Sequence, residues 1–232
     1  MQREFIIAID GPSGAGKSTL SRLLARSLRY TNIDTGAMYR AVALAARRAG
    51  IDPADEVALE ELCGRLRIEF LRGDGAERVL LNGEDVSEAI RTPEVSLLTS
   101  RVSACSAVRQ AMVRLQRGMG EQGGVVLEGR DIGTVVFPGA EVKFFLLATA
   151  AERGRRRYQE LIAKGLEVDL GQTIAEVEAR DAADSARTHA PLLQAADAVA
   201  IDSTSMGIEA VLELMLQEVR RRRELAGLPA DR

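Results

Sequence analysis

Apolar residues along this chain alternate between two rhythms. Phe5-Ile6-Ile7-Ala8-Ile9 is a continuous apolar run ending in a glycine-rich stretch, the pattern of a strand buried on both faces. Leu20, Leu23, Leu24 and Leu28 then recur at helical spacing. Further short runs stand at Tyr30–Ile33, Val125–Leu127, Val142–Leu147 and Ala198–Ile201, and most have helical patterns between or after them. Thr149-Ala-Ala-Glu152 reads as a capping box opening an Arg-rich helix that stops near Gly165, and Thr173-Ile-Ala-Glu176 as a second box. The last helix shows Ile208, Val211, Leu212, Met215 and Val219 on one face. It ends in Arg220–Arg223, where cations suit the helix dipole and a solvated end is expected. Strand–helix alternation of this kind predicts an α/β fold, a parallel sheet with helices on both faces.

One connection breaks the rhythm. About ninety residues separate Asp34 from Val125, far more than a crossover needs. Leu66-Arg-Ile-Glu-Phe70 alternates strictly, a Gly73-Asp-Gly75 turn follows, then Arg78–Leu81 and the hairpin signal Asn82-Gly83. This predicts a small antiparallel meander inserted as a lobe. After it, Thr92-Pro93-Glu94 opens a long helix with proline at its first position.

Composition narrows the classes. A chain that is 46% hydrophobic and 28% charged can bury a core, so wholesale disorder is excluded. A net charge of −3 argues against bulk electrostatic binding to nucleic acid. No stretch reaches the roughly 18 apolar residues of a membrane span. Cys63 and Cys105 show no metal-ligand spacing, and one histidine, His189, makes a Ser-His-Asp triad implausible. The expectation is a soluble cytoplasmic monomer without nucleic-acid or membrane partners. Only three of the 31 cations are lysines (Lys17, Lys143 and Lys164), so a lysine at a special place draws notice.

One such lysine lies in Gly11-Pro12-Ser13-Gly14-Ala15-Gly16-Lys17-Ser18-Thr19, whose first eight residues match G-x-x-x-x-G-K-[ST] between a strand pattern and a helix pattern. Glycines let backbone N–H groups turn inward around phosphate oxygens, and the following helix adds its positive end. Lys17 is assigned to the β- and γ-phosphates of ATP and the Ser18 hydroxyl to Mg²⁺. No Asn-Lys-x-Asp string for guanine is present. The nearest acidic candidate for a motor-type ATPase, Leu127-Glu128-Gly-Arg-Asp131, carries an arginine such enzymes do not need. Arginines instead recur at 40, 109, 130, 153, 155, 156, 157, 180 and 187, as a small kinase with two phosphate-bearing substrates requires. Of the 153–157 group, Arg153 and Arg157 stand one turn apart and are the candidate catalytic pair, with Arg155 left to solvent. A nucleotide-operated switch without phosphoryl transfer is the rival from another class.

Four segments together resemble the bacterial cytidylate kinases: Gly11–Thr19, Asp34-Thr-Gly-Ala-Met-Tyr-Arg40, Glu128-Gly-Arg-Asp-Ile-Gly-Thr-Val-Val-Phe-Pro138, and Arg180-Asp181…Asp184…Arg187…Ala190-Pro-Leu192. The resemblance runs nearly end to end. It implies a three-layer P-loop kinase fold with a central five-stranded parallel sheet, an inserted monophosphate-binding lobe and a helical lid. The implied single domain has its core at about 1–60, 120–150 and 190–232, the lobe at about 61–119 and the lid at about 151–189. It implies phosphorylation of CMP and dCMP by ATP with Mg²⁺. Thr35, Arg40 and Arg130 match acceptor-phosphate contacts. Ser100, Arg109 and Asp131 match the cytosine reader, Arg180 and Asp184 sugar contacts, and Arg187 a position near base and phosphate. Thr35 stands where Ser is common and Glu128 where Asp occurs. The chemistry agrees: cytosine offers an amine donor and ring acceptors, so its reader needs a carboxylate plus donors. Arg180, Asp184 and Arg187 share one face if the helix from Thr173 reaches that far. The alternative within the fold is a kinase for a different monophosphate.

Overall fold

The computed structural model describes residues 3–71, 78–163, 165–186 and 191–229. The strands are β1 (Ile6–Asp10), β2 (Thr31–Asp34), β3 (Ile68–Leu71), β4 (Arg78–Leu81), β5 (Glu84–Asp85), β6 (Val125–Gly129), β7 (Val142–Leu147) and β8 (Val199–Asp202). The helices are α1 (Lys17–Leu28), α2 (Thr35–Arg48), α3 (Glu56–Arg65), α4 (Pro93–Val102), α5 (Ser106–Gly120), α6 (Ala150–Ala163), α7 (Leu170–Ser185) and α8 (Ile208–Leu225). Two compact units emerge from the chain's internal contacts, Met1–Asn32 with Gly123–Arg232, and Ile33–Gln122.

The five apolar runs become one sheet in the order β2-β6-β1-β7-β8, with β1 parallel to β6 and β7, and β7 parallel to β8. Every residue of β1 is buried, as its unbroken apolar run requires. Ile7 and Ile9 of β1, Val126 of β6 and Phe144 and Leu146 of β7 pack with Leu20 and Leu24 of α1 and with Val211, Met215 and Val219 of α8. Those are the residues whose helical spacing singled them out.

The arginine run closing α8 is not uniformly solvated. Arg223 is buried, donates to Glu4 Oε2 (2.8 Å), Tyr30 Oη (3.0 Å) and the Pro229 carbonyl (2.9 Å), and lies over the Phe5 ring. Burial and the neighbouring Glu4 push the Tyr30 hydroxyl up to about 12.

The unit Ile33–Gln122 is built round α2, whose Ala37, Met38, Ala41, Val42 and Ala46 are buried and which packs with α3, α4 and α5. The meander is present as β3-β4-β5. Asn82 and Gly83 both take positive φ (52° and 87°), the left-handed pair that a two-residue hairpin needs. The Gly73–Gly75 turn lies outside the described residues. Thr92 caps α4 through its hydroxyl, as expected, but the helix ends at Val102. Ser103–Cys105 interrupt the path and α5 starts afresh, so two helices stand where one was predicted. Both cysteines are buried and free, and burial pushes the Cys63 thiol up to about 11.

Candidate active site

The phosphate loop connects β1 to α1. Gly11 has φ 144°, and a Cβ there would overlap the Leu146 carbonyl, so the loop lies flat on β7 only as glycine. Gly16 is the N-cap of α1 (φ 94°) and offers no capping side chain, nor does the first turn carry an acid. No side chain of the cap or first turn therefore competes for the opening amides of this 12-residue helix. Lys17 is buried and donates to the Pro12 carbonyl at 2.6 Å, folding back over the loop. Burial first, then the neighbouring Arg130, lowers its ammonium to about 7, while Glu128 and Asp10 work against that. Asp10 moves the other way, up to about 6, because burial outweighs the two backbone amides it accepts. Ser18 is exposed in the first turn of α1.

Several arginines converge near this loop. Arg153, on α6, is buried and donates to the Ser13 carbonyl at 3.0 Å and the Ala148 carbonyl at 2.9 Å, and pairs with Asp181 of α7 at 2.5 Å. One residue of the candidate catalytic pair thus clasps the phosphate loop itself. Arg157 does not share its partners: it pairs with Glu160 and is about half exposed. Arg155, half exposed, pairs with Glu152, as a solvent-facing position would. Arg156, given no role from the sequence, binds the Ser203 carbonyl at 2.6 Å, and Ser203 Oγ in turn donates to the Ala15 and Leu147 carbonyls. Glu152 accepts from both Arg155 and Arg156, which hold its carboxyl near 2.

Arg130 and Asp184 come together, Nε to Oδ2 at 2.8 Å with Asp184 buried. Arg180 is exposed on the same helix and close enough to Lys17 to help hold its charge down. That helix, α7, starts at Leu170 rather than Thr173. Asp169 caps it by accepting from Gln172 N, and Thr173 is turned inward, its hydroxyl on the Asp169 carbonyl. The earlier aspartate outcompetes the predicted box because a carboxylate caps at least as well as a threonine. Gly154 lets α6 and α7 touch, since a Cβ there would overlap Ile174. Arg187 and His189 lie outside the described residues. Asp131 is buried where β6 gives way to a π-helical turn, Ile132–Val136, which the sequence did not signal.

In the second unit, Asp34 caps α2 by accepting from Ala37 N at 2.8 Å, and its other oxygen accepts from Arg40 at 3.1 Å. Thr35 is buried at the first position of that helix. Ser100 is exposed on α4 and Arg109 buried on α5. Sequence reasoning passed over the roles of Asp10, Lys143 and Asp181. The first two left a signal, a charged residue ending or interrupting an apolar strand.

A family model for cytidylate kinase matches residues 7–221. The chain belongs to the cytidylate kinase family. A cytidylate kinase of Syntrophotalea carbinolica is 72% identical over 225 residues, covering 97% of this chain and 96% of that one. A cytidylate kinase of Bacillus subtilis is 46% identical over 222 residues, 96% and 99% of the two chains. Among solved structures, an uncharacterized protein from Eubacterium ventriosum superposes with a TM-score of 0.51 at 10% identity, covering 94% of this chain and 99% of that one, a likeness of fold alone. Membership of the cytidylate kinase family makes the chain a phosphotransferase of the P-loop kinase type.

Proposed function

We propose that the chain transfers the γ-phosphoryl group of ATP to CMP and dCMP, giving CDP and dCDP, as a cytoplasmic monomer. Family membership across residues 7–221 carries this reading, and the same similarity disfavours the alternative of a different monophosphate. The acceptor's phosphate oxygen is already a nucleophile near neutral pH, so no general base is required. Catalysis then consists of positioning, charge neutralisation and exclusion of water from the transferring group. Lys17 and the open amides of α1 meet the donor phosphates. Ser18 fits Mg²⁺, since an exposed hydroxyl beside bound phosphates is the hard oxygen donor this ion takes along with its waters. Bound there, Mg²⁺ would neutralise charge on the β- and γ-phosphates.

For the acceptor, the reading assigns Asp131, Ser100 and Arg109 to cytosine, Thr35, Arg40 and Arg130 to the phosphate, Arg180 and Asp184 to the sugar, and Arg187 to a position near base and phosphate. An ionised carboxylate only accepts hydrogen bonds, so Asp131 suits the amine of cytosine and repels the carbonyl of uracil. Arg153 is assigned to the lid's side of the transferring phosphate together with Arg157. A coupled ADP-release assay across all ribo- and deoxyribonucleoside monophosphates tests the proposal. CMP and dCMP should give the highest kcat/KM, with UMP below them. Faster turnover of a purine monophosphate or of a non-nucleotide acceptor would overturn it.

A further inference from the structure

Arg40 lies well over one turn into α2, yet its guanidinium reaches back to the start of that helix, where Nη2 donates to Asp34 Oδ2 at 3.1 Å. Helical side chains lean toward the N-terminus, which makes the reach possible. That end is the positive pole of the helix, and a cation gains nothing there. The first turn of α2 carries no acid, so the carboxylate that offsets this comes from the N-cap, Asp34. Its two oxygens divide the work: Oδ1 accepts from Ala37 N at 2.8 Å and Oδ2 from Arg40. Both side chains are largely withdrawn from water, Arg40 26% and Asp34 22% exposed. The guanidinium passes over Gly36: a Cβ there would stand 3.1 Å from Asp34 Oδ1 and 3.4 Å from Arg40 Nη1. Glycine is a poor helix former, and alanine in its place would crowd the pair from both sides. The pair uses one corner of the fork. Arg40 Nε is buried with no hydrogen-bond partner among the described residues, a donor that an anion can satisfy.

We propose that Asp34 is a positioning residue for the acceptor phosphate: it keeps Arg40 folded onto the start of α2, so that the guanidinium is already in place when the monophosphate arrives. The inference rests on the reading that Arg40 meets that phosphate. A carboxylate beside a phosphate repels it. Asp34 therefore helps only through the order it imposes on a long side chain that otherwise gives up rotamer freedom on binding. Helix capping and phosphate positioning then sit on one residue, one oxygen to each.

Asp34→Ser separates the two. Serine caps a helix about as well as aspartate but has no second oxygen for Arg40. KM for CMP should rise about tenfold, while KM for ATP stays within about twofold and the melting temperature changes little. An unchanged KM for CMP overturns the inference, and so does a lower one, which would make Asp34 a competing anion. A merely structural role would lower the melting temperature and raise both KM values together, and that outcome overturns it too. Arg40→Met is measured beside it. If Arg40→Met raises KM for CMP and Asp34→Ser does not, Asp34 is no positioning residue although the phosphate assignment stands; if Arg40→Met leaves KM for CMP unchanged, the phosphate assignment itself fails. In the Arg40→Met background Asp34→Ser should add nothing further, and full additivity also overturns the inference. Asp34→Asn, whose oxygen keeps the cap while its NH₂ faces the guanidinium, carries the same comparison should the Ser variant fail to fold.

Discussion

Arg48 and Glu84, in the unit Ile33–Gln122, meet through two hydrogen bonds of 2.7 and 2.8 Å, and their side chains remain 45% and 58% exposed. Lys17 and Asp10, at the end of the central strand, carry their charges almost wholly out of water. The first arrangement lowers the carboxyl of Glu84, because the guanidinium is close and solvation is kept. The second pushes lysine down and aspartate up, because lost hydration, joined by Arg130 at the lysine and Asp131 at the aspartate, outweighs the opposing neighbours. Geometry that looks stronger on paper is thus energetically mild at the surface, while the buried groups lose hydration that their opposing neighbours do not fully replace.

The largest test of this contrast is Lys17→Met. Turnover should fall about a hundredfold or more, since a preorganised cation facing developing charge is lost. The unliganded protein should nevertheless melt at a higher temperature, because a buried ammonium has been replaced by an apolar side chain of similar reach. The folded pKa of about 7 lies below lysine's ordinary value of 10.5, so the folded chain binds fewer protons between those values and its stability rises with pH there. The advantage of Met is therefore greatest below about pH 7 and fades toward pH 10. A melting temperature that drops at every pH would show that Lys17 stabilises the apo loop.

A smaller effect follows from the same displacement. ATP binding near pH 8 should take up a fraction of a proton, as phosphate restores the Lys17 ammonium. Calorimetry in buffers of different ionisation enthalpy reads that number directly. Lys17→Met should abolish it, and uptake that survives the substitution would assign the proton to another group.

The smallest expected effect belongs to the surface pair. Arg48→Ala should shift the melting temperature by no more than about 2 °C and leave kcat/KM for both substrates unchanged. A larger shift would mean that the pair fixes the end of α2 against the meander, and the contrast drawn above would narrow.

The sequence made some of this legible and not the rest, for identifiable reasons. The strand runs, the phosphate loop and the Asn82-Gly83 turn were readable because each is a local pattern with one physical solution. The start of α7 was misplaced because Asp169 and Thr173 both qualify as caps and spacing does not rank them. The break between α4 and α5 leaves no glycine or proline to mark it. Arg223 was assigned to solvent because Glu4 and Tyr30, which bury it, are distant in sequence. Asp10 belongs to the same class. Its partners at 132 and 133 are joined to it only by the fold, so a lone acid after an apolar run was the sole hint.

The order of the central sheet also has a consequence for biosynthesis. β1 is the middle strand, yet both of its neighbours, β6 and β7, follow it by more than a hundred residues. At translation rates of about 10 residues per second, its apolar edge waits on the order of ten seconds for a partner. The meander needs only β3, β4 and β5, which leave the ribosome close together. The meander's pairings can therefore form first on the nascent chain, while the strand that leads into the phosphate loop keeps its edges unpaired until β6 and β7 emerge.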